Sequence, residues 1–372
     1  MKMQARLIRR CALAVARRLR CPGGFPRFTV NCRVVALLAI ASGGVCGLVA
    51  DAGTVTNLGV LANDDTRARA ISGDGSVVVG GTYDGNYNQA FQWSSGTMTP
   101  LGSLAGEAYA IAHGVNGDGI AVVGYSGGNP SSQERAVRWT VTSGTMQNLG
   151  VLGTDESSEA YGTSANGSVV VGVSRSFVFD PDTGSSVVGD AFRWTSAGMQ
   201  PLGRLPGGDY AEARAVSAAG DVAVGSSNTA PSGDVVAVRW TVTGSTALES
   251  LGVLAGGSRP IAYGVSGDGS SVVGTNMISG GLERAFLWTP ALGMVDLNTY
   301  LPTIGFDLNG WTLEQATAIS ADGTSITGFG TLQNVGTRSF LVQFVPEPAT
   351  YAMVPAGLAC GGYSMFRRRR AR

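Results

Sequence analysis

The sequence predicts an all-β, six-bladed β-propeller-like ring over residues 53–345, and three recurring blocks carry that expectation. A turn-plus-strand block occurs six times, at Ile71–Gly80, Val115–Gly124, Thr163–Gly172, Val216–Gly225, Val265–Gly274 and Ile319–Gly328. An Ala-Phe/Val-x-Trp block follows at Ala90–Trp93, Ala136–Trp139, Ala191–Trp194, Ala237–Trp240 and Ala285–Trp288, with a decayed sixth copy at Ser339–Val342. A third block, typically Gly-x-Met-x-x-Leu-Gly, ends at Gly102, Gly150, Gly203 and Gly252, and in drifted form at Asn298. Successive tryptophans lie 46, 55, 46 and 48 residues apart. A unit of that length holding about four short strands matches a propeller blade.

Each block has a mechanical reading. Asp-Gly or Asn-Gly between short apolar runs is a hairpin signal, and a type I′ turn would need positive φ at both central residues. The arm before it, such as Ala68–Ile71 or Ala213–Val216, is the hairpin's first strand. Val-Val-Val-Gly is β-branched and short, as buried strands are. Ala-Phe-x-Trp alternates small and large side chains, which suits a packed strand. No segment keeps the 3.6-residue periodicity of a helix. Thr54–Gly59 is a third block with no repeat before it, and the sixth repeat lacks one. The expectation is that this N-terminal strand closes the last blade, hiding edges that would otherwise invite aggregation.

Charge and cysteine divide the 372 residues into three parts. Residues 1–52 carry a net charge of +8, residues 53–345 carry −12 without a lysine, and residues 346–372 carry +4. An acidic body repels phosphates, so a nucleic-acid partner is not expected. Cys11, Cys21, Cys32 and Cys46 lie in the first part and Cys360 in the last. The body therefore holds no disulfide, cysteine-ligated zinc or thiol nucleophile.

Residues 1–52 read as a signal peptide. A basic region precedes the apolar run Val34–Ala41, and Ala50-Asp51-Ala52 supplies an A-x-A site with cleavage before Gly53. The competing reading is a retained anchor. At the other end, Pro346-Glu347-Pro348 is followed by a mostly apolar run, Ala349–Phe366, and by Arg367, Arg368, Arg369 and Arg370. An apolar run can enter a bilayer while the arginines stay cytoplasmic. That order of parts resembles the PEP-CTERM sorting signal of Gram-negative bacteria. The resemblance implies a transient inner-membrane anchor, an exosortase-like membrane protease as partner and delivery to the surface or exterior. An ordinary C-terminal anchor is the alternative. The body repeats are similar to HAF repeats of extracellular bacterial proteins. Ala90-Phe91, Ala191-Phe192 and Ala285-Phe286 keep the Ala-Phe pair, but Gln89, Asp190 and Arg284 stand where the eponymous His would be. That resemblance implies an extracellular location and no particular chemistry.

Catalytic constellations are sparse. His113 is the single histidine, so a histidine-rich metal site is excluded and a Ser-His-Asp triad would rest on it alone. It is expected to be solvent-facing or hydrogen-bonded. No catalytic residue and no metal ligand is assigned. The Asp-Gly turns offer one acid each, whereas calcium takes six to eight oxygens. Asn63-Asp64-Asp65 and Asp180-Pro181-Asp182 are the richer calcium candidates, and no other cofactor is expected. An insertion in the third repeat places Phe177, Phe179, Asp180 and Asp182 in a possible ligand loop. The tryptophans read as blade packing, and Trp311 sits in an irregular stretch that would plug or cover one end of the ring.

Two functions follow. The first is an exported, non-catalytic binding or structural protein of the cell envelope or exopolysaccharide matrix. The second is a polysaccharide-active hydrolase or lyase using acids at the ring mouth. Several acids and an aromatic in one concavity would favour the enzyme, and scattered acids around an apolar plug the binder.

Overall fold

A computed structural model describes residues 57–61, 65–83, 88–127, 133–180, 184–230, 233–243 and 245–344. The signal-cleavage residues Ala50, Ala52 and Gly53, the tail from Pro346 to Arg370, and Asn63, Asp64 and Asp182 lie outside them. The chain forms a six-bladed β-propeller. Five blades are four-stranded antiparallel meanders and the sixth has three strands among the described residues. The first strands of the blades are Asp65–Ile71, Tyr109–Val115, Ser157–Thr163, Ala211–Val216, Gly257–Val265 and Trp311–Ile319. From blade 1 to blade 6 each touches the first strand of the blade that follows it in sequence, so these strands line the hub.

The Asp-Gly turns form as hairpins, but not of type I′. Only the glycine has positive φ, as at Gly75 (74°) and Gly119 (76°). Ser72 C=O accepts from Gly75 N–H, and Ser72 N–H donates to Val77 C=O, giving a wider loop than two residues. Asp74 Oδ1 accepts from Ser72 Oγ (2.6 Å) and Ser76 N–H (3.0 Å), while Ser72 Oγ accepts from Val77 N–H. An Asx-type bond replaces the second positive φ. The fourth copy lacks the aspartate, yet Ser217 Oγ donates to Asp221 Oδ1 at 2.7 Å and restores the lock from the other side. Hydroxyl donors hold Asp74 and Asp268 down to about 2. These carboxylates serve the turns.

Five apolar cores lie between successive blades. Blade 1 contributes Val79 and Ala90 to the first, and blade 2 answers with Ala110, Ala112, Val122, Val137 and Trp139. Trp139, Trp194, Trp240 and Trp288 are buried as blade packing. Arginines on third strands brace three of these interfaces: Arg138, Arg193 and Arg239 donate through Nε to the turn carbonyls of Gly167, Gly220 and Gly269 in the following blade.

Two expectations need correction. One helix does form, α1 (Leu297–Thr303), started by the Asp296 cap onto Asn298 N–H. Its Leu297 and Leu301 are fully buried in the core between blades 5 and 6, and Trp311 packs edge-on against Phe340 there. The stretch therefore fills an inter-blade wedge and does not plug the ring, because its apolar side chains have a core to enter. Phe177, Phe179 and Asp180 of the possible ligand loop lie on a ladder: Val170–Asp180 pairs with Gly184–Thr195 through Asp180↔Gly184. Strand residues there extend the pairing into a hairpin arm instead of an irregular loop. The expected closing strand falls on Thr54–Thr56, outside the described residues, and Leu58-Gly59 follows it as a linker, as Leu101-Gly102 and Leu251-Gly252 do in other blades.

Candidate functional site

All six first strands carry a β-bulge at the same column. The residues that the ladder register skips are Arg69, His113, Tyr161, Arg214, Tyr263 and Thr317, each within an Ala-x-Ala/Gly tripeptide. A bulge adds local twist and re-aims the side chain it carries. The glycine ending each Val-Val-Val-Gly block makes room for it. A Cβ at Gly124 would collide with Ile111 C=O, and one at Gly172 with Glu159 C=O. The repeat thus dictates six identical backbone mounts and leaves the mounted side chain free to vary.

The mounted residues meet. His113 lies 5.5 Å from the Tyr125 ring and 5.3 Å, edge-on, from Tyr161. The Arg214 guanidinium stands 5.6 Å from the Tyr161 centroid and 5.1 Å from that of Tyr263, as cation–π contacts do. His113, Tyr161, Arg214 and Tyr263 therefore form one ladder across blades 2 to 5. His113 is neither solvent-facing nor, at Nε2, hydrogen-bonded among the described residues. Burial, then the nearby Arg69, pushes its pKa down to about 4.

Beneath the ladder lie three glutamates. Glu159 accepts from Arg175 Nη1 at 2.5 Å and from Tyr161 Oη at 2.9 Å, and Arg175 Nη2 donates to Tyr161 Oη at 2.8 Å. Glu212 accepts from Arg214 Nε at 2.7 Å and from Tyr210 Oη at 3.3 Å. Glu134 accepts from Tyr109 Oη at 3.2 Å and lies within hydrogen-bond reach of Glu159. Burial and then the Glu159 charge push Glu134 up. Burial would also raise Glu159, but Arg175 outweighs it and holds that carboxyl down. Desolvation raises Tyr109 and Tyr210 to about 12, so both stay hydrogen-bond donors at neutral pH.

The acids and aromatics are therefore gathered, and the hub is not an apolar plug. Sequence reading singled out only His113 of this group. The missed signal was the column itself: in otherwise uniform arms, the residue between two small ones changes from Arg to His to Tyr. The insertion residues lie apart from the hub cluster, on the extended arm of blade 3. Phe177 is 58% exposed, and Val178 and Val187 beside it are also exposed. No group of three or more acids and histidines able to hold a metal occurs among the described residues. No helix among them is long and apolar enough to cross a membrane.

No protein-family model and no curated protein matches the chain. Solved structures resemble it at low identity. TolB from Acinetobacter baumannii is 12% identical, with 62% of this chain covering 53% of that one at a TM-score of 0.42. An oligogalacturonate lyase in complex with manganese is 10% identical, with coverage of 74% and 73% and a TM-score of 0.47. The propeller domain of the Trilobed protease from Pyrococcus furiosus is 10% identical, with coverage of 76% and 82% and a TM-score of 0.47. Likeness at this level transfers no activity.

Proposed function

We propose that the chain is an exported propeller with a non-catalytic binding role in the cell envelope or exopolysaccharide matrix, gripping its ligand at the hub. The observation behind this reading is the set of six bulges. A constant scaffold presents Arg69, His113, Tyr161, Arg214, Tyr263 and Thr317 inward, which is how a repeat array varies a binding surface. Neutral tyrosine hydroxyls, aromatic faces and guanidinium groups suit sugar hydroxyls and rings. The glutamates are committed: two are ion-paired, and Glu134 and Glu159 are in mutual hydrogen-bond reach.

Two observations favour the second reading, a polysaccharide-active hydrolase or lyase: acids and aromatics are gathered at the hub, and two of the acids differ in environment. Glu134 and Glu159 are pushed in opposite directions, as an acid and a base would be. One experiment addresses both readings. The secreted protein is screened on a glycan array, beside variants Tyr263→Ala and Arg69→Ala. Binding weakened at least about tenfold in the variants, with no release of reducing ends or unsaturated sugars, supports the binder. Turnover abolished by Glu134→Gln would replace it with the enzyme, and retention of no glycan would sink both.

Export and sorting belong to the same proposal. They are supported by the Ala50–Gly53 site, the Pro346-Glu347-Pro348 elbow and the Arg367–Arg370 cluster, with an exosortase-like protease as partner. A mature protein starting at Gly53 and ending near Pro348 is the expected intact mass, and one retaining residues 349–372 counts against sorting by cleavage.

A further inference from the structure

Five blade interfaces repeat one chemistry, and the faces that would make a sixth are present but apart. Ala112, Ala160, Ala213, Ala262 and Ala316 occupy one column and are all fully buried. Ala68, the same residue in the same column of blade 1, is exposed. On the facing side, Val273 and Leu287 of blade 5 are buried, whereas their counterparts in blade 6, Thr327 and Leu341, are exposed, Leu341 by 61%. A Cβ on the turn glycines Gly119, Gly167, Gly220 and Gly269 would touch the preceding blade, and one on Gly75 would meet nothing within 4 Å.

Backbone bonding tells the same story. From blade 2 onward the second turn residue donates its N–H to its counterpart in the next blade, a bond that Gly73 of blade 1 does not make to Gly117. Gly117 donates to Ala165 (3.0 Å), Ala165 to Ala218 (3.1 Å), Ala218 to Gly267 (2.9 Å) and Gly267 to Ala321 (2.9 Å). The run ends at Ala321, and Gly73 is the turn that would come next. The linker into blade 1 is also built like the others. Gly59 N–H is held by Asn57 Oδ1 at 3.0 Å and Gly59 C=O by Thr66 Oγ1 at 3.2 Å, as Asn148 and Ser158 hold Gly150. The φ of Gly59 is 86°, against 82° for Gly150.

We propose that blade 6 and blade 1 of the same chain dock on one another in solution. In this interface Ala68 and Trp93 pack against Thr327 and Leu341, and Ala321 N–H donates to Gly73 C=O. The occupant of the open face is the chain's own opposite face: Ala68 repeats the alanine of the five formed interfaces and Trp93 the tryptophan of blades 2 to 5, while on the other side Leu341 repeats Leu287 of blade 5 and Thr327 stands in the valine column. Docking brings Thr317 beside Arg69 and completes the circle of bulged residues. It does not depend on what the hub binds.

Because the body has no cysteine, a disulfide between two body peptides can only join the substituted positions, and peptide identification separates it from any bond to Cys11, Cys21, Cys32, Cys46 or Cys360. A Cβ at Gly117 lies 3.8 Å from that of Ala165, within disulfide range. In the full chain, Gly117→Cys/Ala165→Cys is the control and Gly73→Cys/Ala321→Cys the test, with the linked peptides identified by mass spectrometry. The proposal expects an intramolecular disulfide between the two substituted positions of the test pair, in a yield within about twofold of the control. A linked control with a free or intermolecular test pair would overturn it, the latter placing a second copy in the seam. Hydrogen exchange on the unmodified chain guards against a folding artefact. The Ala321 amide should be protected to the level of Gly267, and fast exchange at Ala321 beside a protected Gly267 counts against docking.

Discussion

Blades 2 to 5 and the pair formed by blades 6 and 1 are written in nearly the same residues yet are packed differently. Between blades 3 and 4, Val171, Ala191, Ala213 and Trp240 meet in one buried core. At the seam, Ala68 and Leu341 face outward. The contrast separates two things a repeat sequence encodes. Local rules, such as the Asx-locked turn, the glycine that admits the bulge and the small-large alternation of Ala-Phe-x-Trp, hold in the seam blades too. Docking of one blade on the next is a long-range event, and in a ring the last such contact joins segments far apart in sequence, at the greatest loop-closure cost.

The largest effect that can break this comparison is at the tryptophans. Trp240 is fully buried, and Trp240→Ala should cost about 3–5 kcal/mol in chemical denaturation. Trp93 occupies the same column at the seam and is only half-buried. With the seam docked, Trp93→Ala should approach that cost. A loss below about 1.5 kcal/mol would mark the seam as open in solution. A change of similar size is expected at the hub of the closed sector. Arg175→Ala strips Glu159 of its partner while Glu134 stays beside it, and breaking a buried pair in this way costs about 3–5 kcal/mol. Glu159→Gln in the same background should recover much of the loss. Failure of the double variant to recover would show that Arg175 acts through packing.

The next effect is pH dependence centred on His113. Its pKa in the folded protein, about 4, lies below the ordinary 6.5 because burial and neighbouring Arg69 and Arg214 oppose its charge, with Glu159 acting the other way. The unfolded chain therefore takes up this proton first as pH falls. Stability is complete above about pH 6.5 and is lost as pH falls toward 4, by up to roughly 3 kcal/mol. His113→Phe keeps an aromatic between Tyr125 and Tyr161 and should flatten the denaturation midpoint across that window. An unchanged slope would assign the acid sensitivity elsewhere.

Much of the fold was legible because the repeat states it six times over: blade number, strand order, the packing role of the tryptophans and the thiol-free body all follow from the blocks. The hub was not. A bulge comes from backbone pairing geometry, and the glycine that permits it reads in sequence as an ordinary strand end. For the same reason the arm from Phe177 to Gly184 read as a loop, since nothing in Asp180-Pro181-Asp182 shows that pairing continues to Asp180↔Gly184. Helix α1 was missed because seven residues are too few to show a period. Trp311, torn from the pattern by that helix, then looked free to plug the ring.

The smallest effect tests whether the local rules are indeed equal on both sides of the comparison. Ser217 sits in a closed-sector turn with no exposed surface, and its Oγ accepts from Val222 N–H at 3.0 Å. Ser72 does the same for Val77 N–H at 3.0 Å in the seam blade and is 3% exposed. Replacing either by Ala leaves a buried backbone N–H without its side-chain acceptor, which costs about 1–2 kcal/mol. The two losses should agree within about 0.5 kcal/mol, because the bond is made inside one hairpin and does not depend on the neighbouring blade. If Ser72→Ala costs clearly less, the blade 1 hairpin is loosened along with the seam, and the undocked face reaches into the blade's own turn. If the losses match while the Trp93 and Trp240 losses differ, the difference between the sectors lies in docking alone.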